Sequence, residues 1–281
     1  MPRTLKSLKT PLRYPGGKSK AVPKLLQYLP NLFQVKEFRE PFLGGGSVAI
    51  EITKRYPHID IWVNDLYEPL YNFWCELQHN GQELQDTLLG IKSIYCNPDA
   101  ARCLFITSKE QINDSDLSNF DRAVAFYIVN KCSFSGLTES SSFSAQASES
   151  NFSTNGIERL TEYSEIIERW KITNLSYESM LCDDKDTFIY LDPPYDIKDN
   201  LYGKKGEMHK RFDHDKFAHD CDQHTCPMLI SYNSDQIIRD RFYEWTVGEF
   251  AHTYTMRSVG CYNIDQATRK ELVLTNYEMR S

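Results

Sequence analysis

The chain has 281 residues, of which 41% are hydrophobic and 25% charged, with a formal net charge of −7. That is room for one large α/β domain, or for a main domain carrying an insertion, with the composition of a globular protein. No stretch approaches the roughly 18 apolar residues that span a bilayer, and the basic start MPRTLKSLKTPLRYPGGKSK has no apolar run behind it, so neither a membrane span nor a secretory leader is expected and the location reads as cytoplasmic.

In chain order, residues 18–29 are predicted as a helix with Val22, Leu25, Leu26 and Leu29 on its apolar face. Residues 37–43 read as a strand, followed by the glycine-rich turn of EPFLGGGS and a helix over 47–56. A second strand, 59–64, ends at Asp65 and leads into a helix over 67–79. Strand, glycine turn, helix, strand is the opening of a doubly wound α/β domain. Residues 80–165 change character. Mixed-charge helical sequence comes first, then the apolar helix FDRAVAFYIVNKC, then SFSGLTESSSFSAQASESNFSTNG, which lacks Lys and Arg and reads as an exposed hairpin or long loop. The α/β pattern resumes with strands at 171–176 and 187–191, a helix at 213–224, a strand at 228–233, a helix at 235–244 and β-rich sequence to the end. The expected organisation is a Rossmann-like catalytic domain, 1–79 plus 166–281, split by a mostly helical insertion, 80–165.

Charge is unevenly placed. Residues 1–36 hold Arg3, Lys6, Lys9, Arg13, Lys18, Lys20, Lys24 and Lys36 and no acid, and a second cluster comprises Lys198, Lys204, Lys205, Lys210 and Arg211. Local basic patches on an acidic body suffice to bind a polyanion, because screening confines the attraction to about a Debye length; solvated surface is the other reading. The eight cysteines show no CxxC and are expected as free thiols. The segment FDHDKFAHDCDQHTC offers His214, His219, Cys221, His224 and Cys226, but its histidines, five apart, do not share a helix face. No metal is expected.

Three features carry chemistry. Asp192-Pro193-Pro194-Tyr195 follows the apolar run TFIYL, so it faces the ligand crevice at a strand's carboxyl end. The prolines fix their φ and supply no N–H, leaving rigid acceptor carbonyls. A carboxylate and a carbonyl there would accept the N–H groups of a planar substrate's amine and free its lone pair to attack a methyl sulfonium, while Tyr195 stacks on the ring. A turn after a strand is the alternative. The second feature is the glycine turn, which lets backbone approach a ligand. The third is Asp65, nineteen residues after Gly46, placed to hold ribose hydroxyls or to cap a helix.

The order PLRYPGGKSK, EPFLGGGS, NDLYEP, YLDPPY resembles the Dam-type adenine-specific DNA methyltransferases (α-group, D12 class) over nearly the whole chain. The resemblance implies a Rossmann-like methyltransferase fold using S-adenosyl-L-methionine, with S-adenosyl-L-homocysteine as product. It implies a cofactor site of Tyr14, Gly17, Lys18, Phe42, Leu43, Gly44, Gly45, Gly46, Ser47, Asp65, Tyr177 and Asp192, and a target-base pocket of Asp192, Pro193, Pro194 and Tyr195. NKCSFSGL lies where that family begins its DNA-contacting hairpin, giving Asn130, Lys131, Ser133, Phe134, Ser135, Leu137 and Thr138 as candidates for DNA contact, with Lys204 and Lys205 on the phosphates. Where the GATC-methylating members carry arginines in the hairpin, this chain has Thr138, Glu139 and a serine run, so the recognition sequence is not carried over. The expected reaction is methylation of adenine N6 in double-stranded DNA with the base flipped out. N4-cytosine methylation, a non-catalytic DNA-binding homologue and an NAD-dependent enzyme are the alternatives; the last leaves DPPY without a role. The expected state is a monomer, or a dimer on DNA.

Overall fold

A computed structural model of the chain describes residues 8–14, 16–95, 97–134, 141–195, 212–251 and 270–279. Its strands are β1 (Glu37–Glu40), β2 (Asp60–Asn64), β3 (Lys171–Thr173), β4 (Thr187–Leu191), β5 (Met228–Asn233), β6 (Thr246–Ala251) and β7 (Lys270–Thr275). They form one sheet in the order β3-β2-β1-β4-β5-β7-β6. β1 to β5 run parallel, and β7 is antiparallel between β5 and β6. The chain winds outward from β1 to β3, then returns to β4 on the other side of β1. A crevice therefore opens beyond the carboxyl ends of β1 and β4, where the strand order reverses.

Side-chain alternation divides the interior into two cores. Phe188, Tyr190, Leu229 and Val273 join one, and Ile189, Leu191, Met228, Ile230, Leu272 and Leu274 the other. The helices are α1 (Val22–Leu25), α2 (Ser47–Arg55), α3 (Glu68–Ile94), α4 (Pro98–Gln111), α5 (Asn119–Cys132), α6 (Ala145–Ser150), α7 (Thr154–Ile157), α8 (Leu160–Ile167), α9 (His214–Asp222) and α10 (Gln236–Arg241). Residues of α1, α2, α3, α5 and α8 fill the first core, while Phe217 and Cys221 of α9 and Ile238 of α10 fill the second. Leu70, Phe73, Trp74, Leu77, Leu84 and Leu88 form the buried stripe of α3, at the spacing of three and four residues that a helix turns to one side. Among the described residues no helix is long and apolar enough to cross a membrane.

Four elements differ from the sequence expectation. The continuous helix over 18–29 is instead a 3-10 turn, Lys18–Lys20, and a single α-turn, α1. Pro23 has no N–H to give a helix begun at Lys18, so it sits in a first turn, and Pro30 disfavours helix at Leu29. The helix expected over 67–79 continues to Ile94 past a break at Asn80, whose φ of −124° and ψ of 28° are non-helical. The strand expected over 171–176 stops at Thr173, because Asn64 Oδ1 takes the Leu175 N–H (2.7 Å) and Asn174 donates to the Asp65 carbonyl (2.7 Å), which lifts the chain off the ladder. The serine-rich segment, expected exposed, holds two short helices over buried Ala147, Phe152 and Ile157. Its serines serve as N-caps: Ser144 accepts from the Ala147 N–H and Ser153 from the Gly156 N–H. Ser133 and Phe143 form an antiparallel bridge at the base of the expected hairpin.

Candidate active site

The glycine turn after β1 is locked from three sides. Gly44 and Gly46 have positive φ (50° and 66°), and a Cβ there would fall 2.8 Å from the Tyr14 ring and 2.8 Å from Trp74. The Gly44 N–H donates to Asp65 Oδ2 (2.9 Å), and Trp74 Nε1 donates to the Gly44 carbonyl (3.1 Å). Asp65, at the end of β2, also accepts the Tyr67 N–H (3.0 Å) on Oδ1. Burial pushes the Asp65 carboxyl up to about 6, against the pull of those two amides. Glu40, the last residue of β1, accepts the Ala49 N–H (2.8 Å), which the first turn of α2 leaves without a helical partner. Burial raises its pKa well above the ordinary carboxylate range.

Asp192 leaves the end of β4 and meets Lys18 from the opening segment. Lys18 Nζ donates to Asp192 Oδ1 (2.7 Å) and Oδ2 (2.8 Å) and to the Tyr195 hydroxyl (2.6 Å), and lies 3.2 Å from Glu271 Oε1. Ser231 on β5 donates to Asp192 Oδ1 (3.1 Å). With its proton so used, the Ser231 hydroxyl accepts from Tyr190 on β4 (2.8 Å). Burial would strip the proton from Lys18, but Asp192 and Glu271 outweigh it and hold its pKa above the ordinary lysine value. Burial likewise raises Asp192; Lys18 pulls the other way without cancelling the shift. Three buried acids, Glu40, Asp192 and Glu271, thus share a corner with Lys18, the ammonium there among the described residues, and Asp65 lies beyond Glu40. Such a corner is built to receive positive charge.

A cleft runs from this corner along the glycine turn. Each of Tyr14, Gly17, Lys18, Phe42, Leu43, Gly44, Gly45, Gly46, Ser47, Asp65, Tyr177 and Asp192 lines it, as does Pro194. Pro193 is buried, and Tyr195 reaches the cluster through its hydroxyl. One wall is aromatic: Phe42 stacks on Tyr177 (centroids 5.7 Å apart), Phe212 and Phe217 pack edge-on against Phe42, and the Tyr177 hydroxyl donates to Asp220 (2.7 Å).

The hairpin candidates lie elsewhere. Asn130 is fully buried and clamps Arg13, accepting its N–H (2.9 Å) and donating to its carbonyl (2.6 Å). The Ser133 carbonyl accepts from Arg13 Nη1 (2.7 Å). Lys131 is 9% exposed, its ammonium 5.1 Å above the Tyr127 ring; burial, with Arg13 nearby, lowers its pKa to about 7. Phe134 is 46% exposed. Ser135, Leu137, Thr138, Lys204 and Lys205 lie outside the described residues, as does the 198–211 cluster. His214 pairs with the Tyr232 hydroxyl (2.7 Å), and among the described residues no three His, Cys, Asp or Glu side chains gather as a metal site would require. Sequence reasoning passed over Glu40, Ser231, Glu271, Phe212 and Lys216. For Glu40 and Glu271 the available signal was an acid two residues from a buried apolar side chain of the same strand, Phe38 in EFRE and Val273 in KELVLT, where an exposed strand end is the usual explanation.

Residues 14–256 match the family model described as D12 class N6 adenine-specific DNA methyltransferase. The chain is 22% identical over 198 residues to the type II methyltransferase M.MjaIII of Methanocaldococcus jannaschii, covering 66% of this chain and 68% of that protein. It is 21% identical over 280 residues to the type II methyltransferase M1.LlaDCHI of Lactococcus lactis subsp. cremoris, covering 94% of each.

Proposed function

The chain belongs to the D12 class of N6 adenine-specific DNA methyltransferases, and from that premise we propose that the cleft beyond β1 and β4 is where S-adenosylmethionine and the target adenine meet. The family's N6 adenine specificity removes cytosine N4 as the acceptor. The observation that carries the site assignment is the cluster of buried acids at the cleft's inner corner, which among the described residues faces one ammonium, Lys18. When bound, S-adenosylmethionine supplies a methyl group on a positively charged sulfur. The glycine turn and Asp65 would hold its ribose and amino-acid portions, and Phe42 and Tyr177 its adenine.

Asp192 then has a defined task. A carboxylate offers about four lone-pair positions; Lys18 uses two and Ser231 a third. The position left would accept an N–H of the target amine and concentrate electron density on N6; as the N6–methyl bond forms the methyl's bond to sulfur breaks, the sulfur leaves neutral, and Asp192 is placed to take the N6 proton. Holding donor and acceptor in line, with fixed charges around them, supplies the rate acceleration. N6 is out of reach inside a duplex, so the adenine leaves the stack, and Pro194 and Tyr195 receive it. Residues 80–165 would form the target-recognition part, with Phe134 at the base of its hairpin exposed towards DNA. The two relatives are named type II methyltransferases, which supports a role in site-specific modification of duplex DNA alongside restriction.

The test is methylation-aware sequencing of plasmid from cells expressing the chain, beside an Asp192→Ala control. N6-methyladenine in one short motif, absent from the control, is expected. Methyladenine that persists in the control refutes the pocket.

A further inference from the structure

Glu271 lies beyond residues 14–256, the part of the chain that the family model matches. It is fully buried on β7, an interior strand whose backbone is held on both sides, opposite Asn233 of β5 and Phe250 of β6. A buried carboxylate is costly unless it is paired. This one accepts the Tyr195 hydroxyl proton at 2.5 Å and stands 3.2 Å from Lys18 Nζ. The Tyr195 hydroxyl thus bridges two charges, taking a hydrogen bond from Lys18 at 2.6 Å and giving one to Glu271.

We propose that Glu271 is a positioning residue for methyl transfer: it fixes the Tyr195 ring at the target-base pocket and holds the Lys18 ammonium on Asp192. This role rests on reading Asp192 and Tyr195 as that pocket. Two physical consequences support it. A tie from the Tyr195 hydroxyl to a rigid interior strand fixes the far end of the ring, and with it the place at which a base would stack. The hydroxyl proton must also go somewhere in a buried site. With Glu271 as acceptor it stays off Asp192, whose remaining lone-pair position is left for the target amine. Without Glu271, the carboxylate that shares the Lys18 ammonium with this hydroxyl is Asp192.

The charged and titratable groups around Lys18 are Asp192, Glu271 and Tyr195, with Glu40, Tyr190 and, beyond Glu40, Asp65 in the same field. Glu271→Gln keeps the shape and an acceptor for Tyr195 but removes one negative charge. Lys18 then loses its proton at a lower pH, and Asp192 ionises at a lower pH. Both limbs of the pH profile of kcat are therefore expected to move to lower pH, with kcat down about tenfold, the effect of one weakened charged hydrogen bond. A wild-type kcat, or a reduced kcat with an unmoved pH profile, overturns the proposal. Should Glu271→Gln fail to fold, Tyr195→Phe reads the same link from its other end: it keeps the ring and deletes the bridge, and an unchanged kcat refutes the positioning role. Asp192→Ala assayed in parallel separates the two layers. If it retains turnover, the pocket assignment fails; if it is inactive while Glu271→Gln behaves as wild type, Glu271 alone is dismissed.

Discussion

Lys18 shows how far a residue's role depends on what the fold brings to it. In sequence it is one of eight cations in residues 1–36, where contact with phosphate or solvent is a natural assignment. In the fold it is 3% exposed, between Asp192 and Glu271. Removing one partner of a buried ion pair leaves the others uncompensated, so Lys18→Met is expected to lower unfolding stability by about 3–5 kcal/mol, measured by urea denaturation at neutral pH. A variant as stable as wild type would show that the carboxylates do not need the cation. Asp65→Asn is milder. The amide has one acceptor oxygen for two backbone N–H groups, so either Gly44 or Tyr67 loses its bond, and the glycine turn loosens. The calorimetric affinity for S-adenosylmethionine should fall by about 1–3 kcal/mol, the range for a buried bond left unmade. Asp65 and Asp192 were legible because each ends an apolar strand. Glu40 and Glu271 were not, since an acid inside a strand gives no sign of whether its side of the sheet is covered.

At the scale of elements, hydrophobic period identified the parallel strands and the apolar helices, because each buries one side against a neighbour and the pattern is local. What failed was wherever backbone chemistry overrode that pattern. The 18–29 segment kept a helical apolar face although Pro23 and Pro30 forbid a long helix. The serine run looked unstructured by composition, yet serines at helix starts are capping residues, and α6 and α7, six and four residues long, are too short to display a period. Helix contact is most sensitive where α3 meets α8. A Cβ on Gly81 would fall 2.5 Å from Ser164 Cβ and 2.6 Å from its Oγ. Gly81→Ala raises helix propensity by ~1 kcal/mol, but overpacking by one methyl at a tight crossing costs about 1–3 kcal/mol. The net expectation is a destabilised protein, read as a lower urea midpoint at unchanged slope; a stabilised variant would mean the two helices separate without penalty.

Across the whole molecule, the sheet order assembles the site from distant parts of the chain: the opening segment, the ends of β1, β2 and β4, and the start of β7. Ligand binding there should stabilise the entire fold, by RT ln(1 + [L]/Kd), or about 2.7 kcal/mol at a hundredfold excess over Kd. The carboxylates make that stabilisation depend on pH. The folded protein holds Asp65 protonated up to about 6, whereas the unfolded chain releases that proton near 3.8, the ordinary value for an aspartate. The folded state therefore binds more protons between those values, and raising pH through this window removes stability from the free protein. A cation in the corner reverses the balance, because it favours the ionised carboxylates that the empty corner resists. Binding then releases protons, and affinity climbs as pH rises towards and past 6. S-adenosylhomocysteine, whose sulfur is neutral, lacks that drive. The melting temperature gained with S-adenosylmethionine should accordingly be larger at pH 7.5 than at pH 5.5, and the gain with S-adenosylhomocysteine should change less between the same two pH values. Equal pH dependence for the two ligands would mean that the sulfur's charge is not what Glu40, Asp65, Asp192 and Glu271 are arranged to meet.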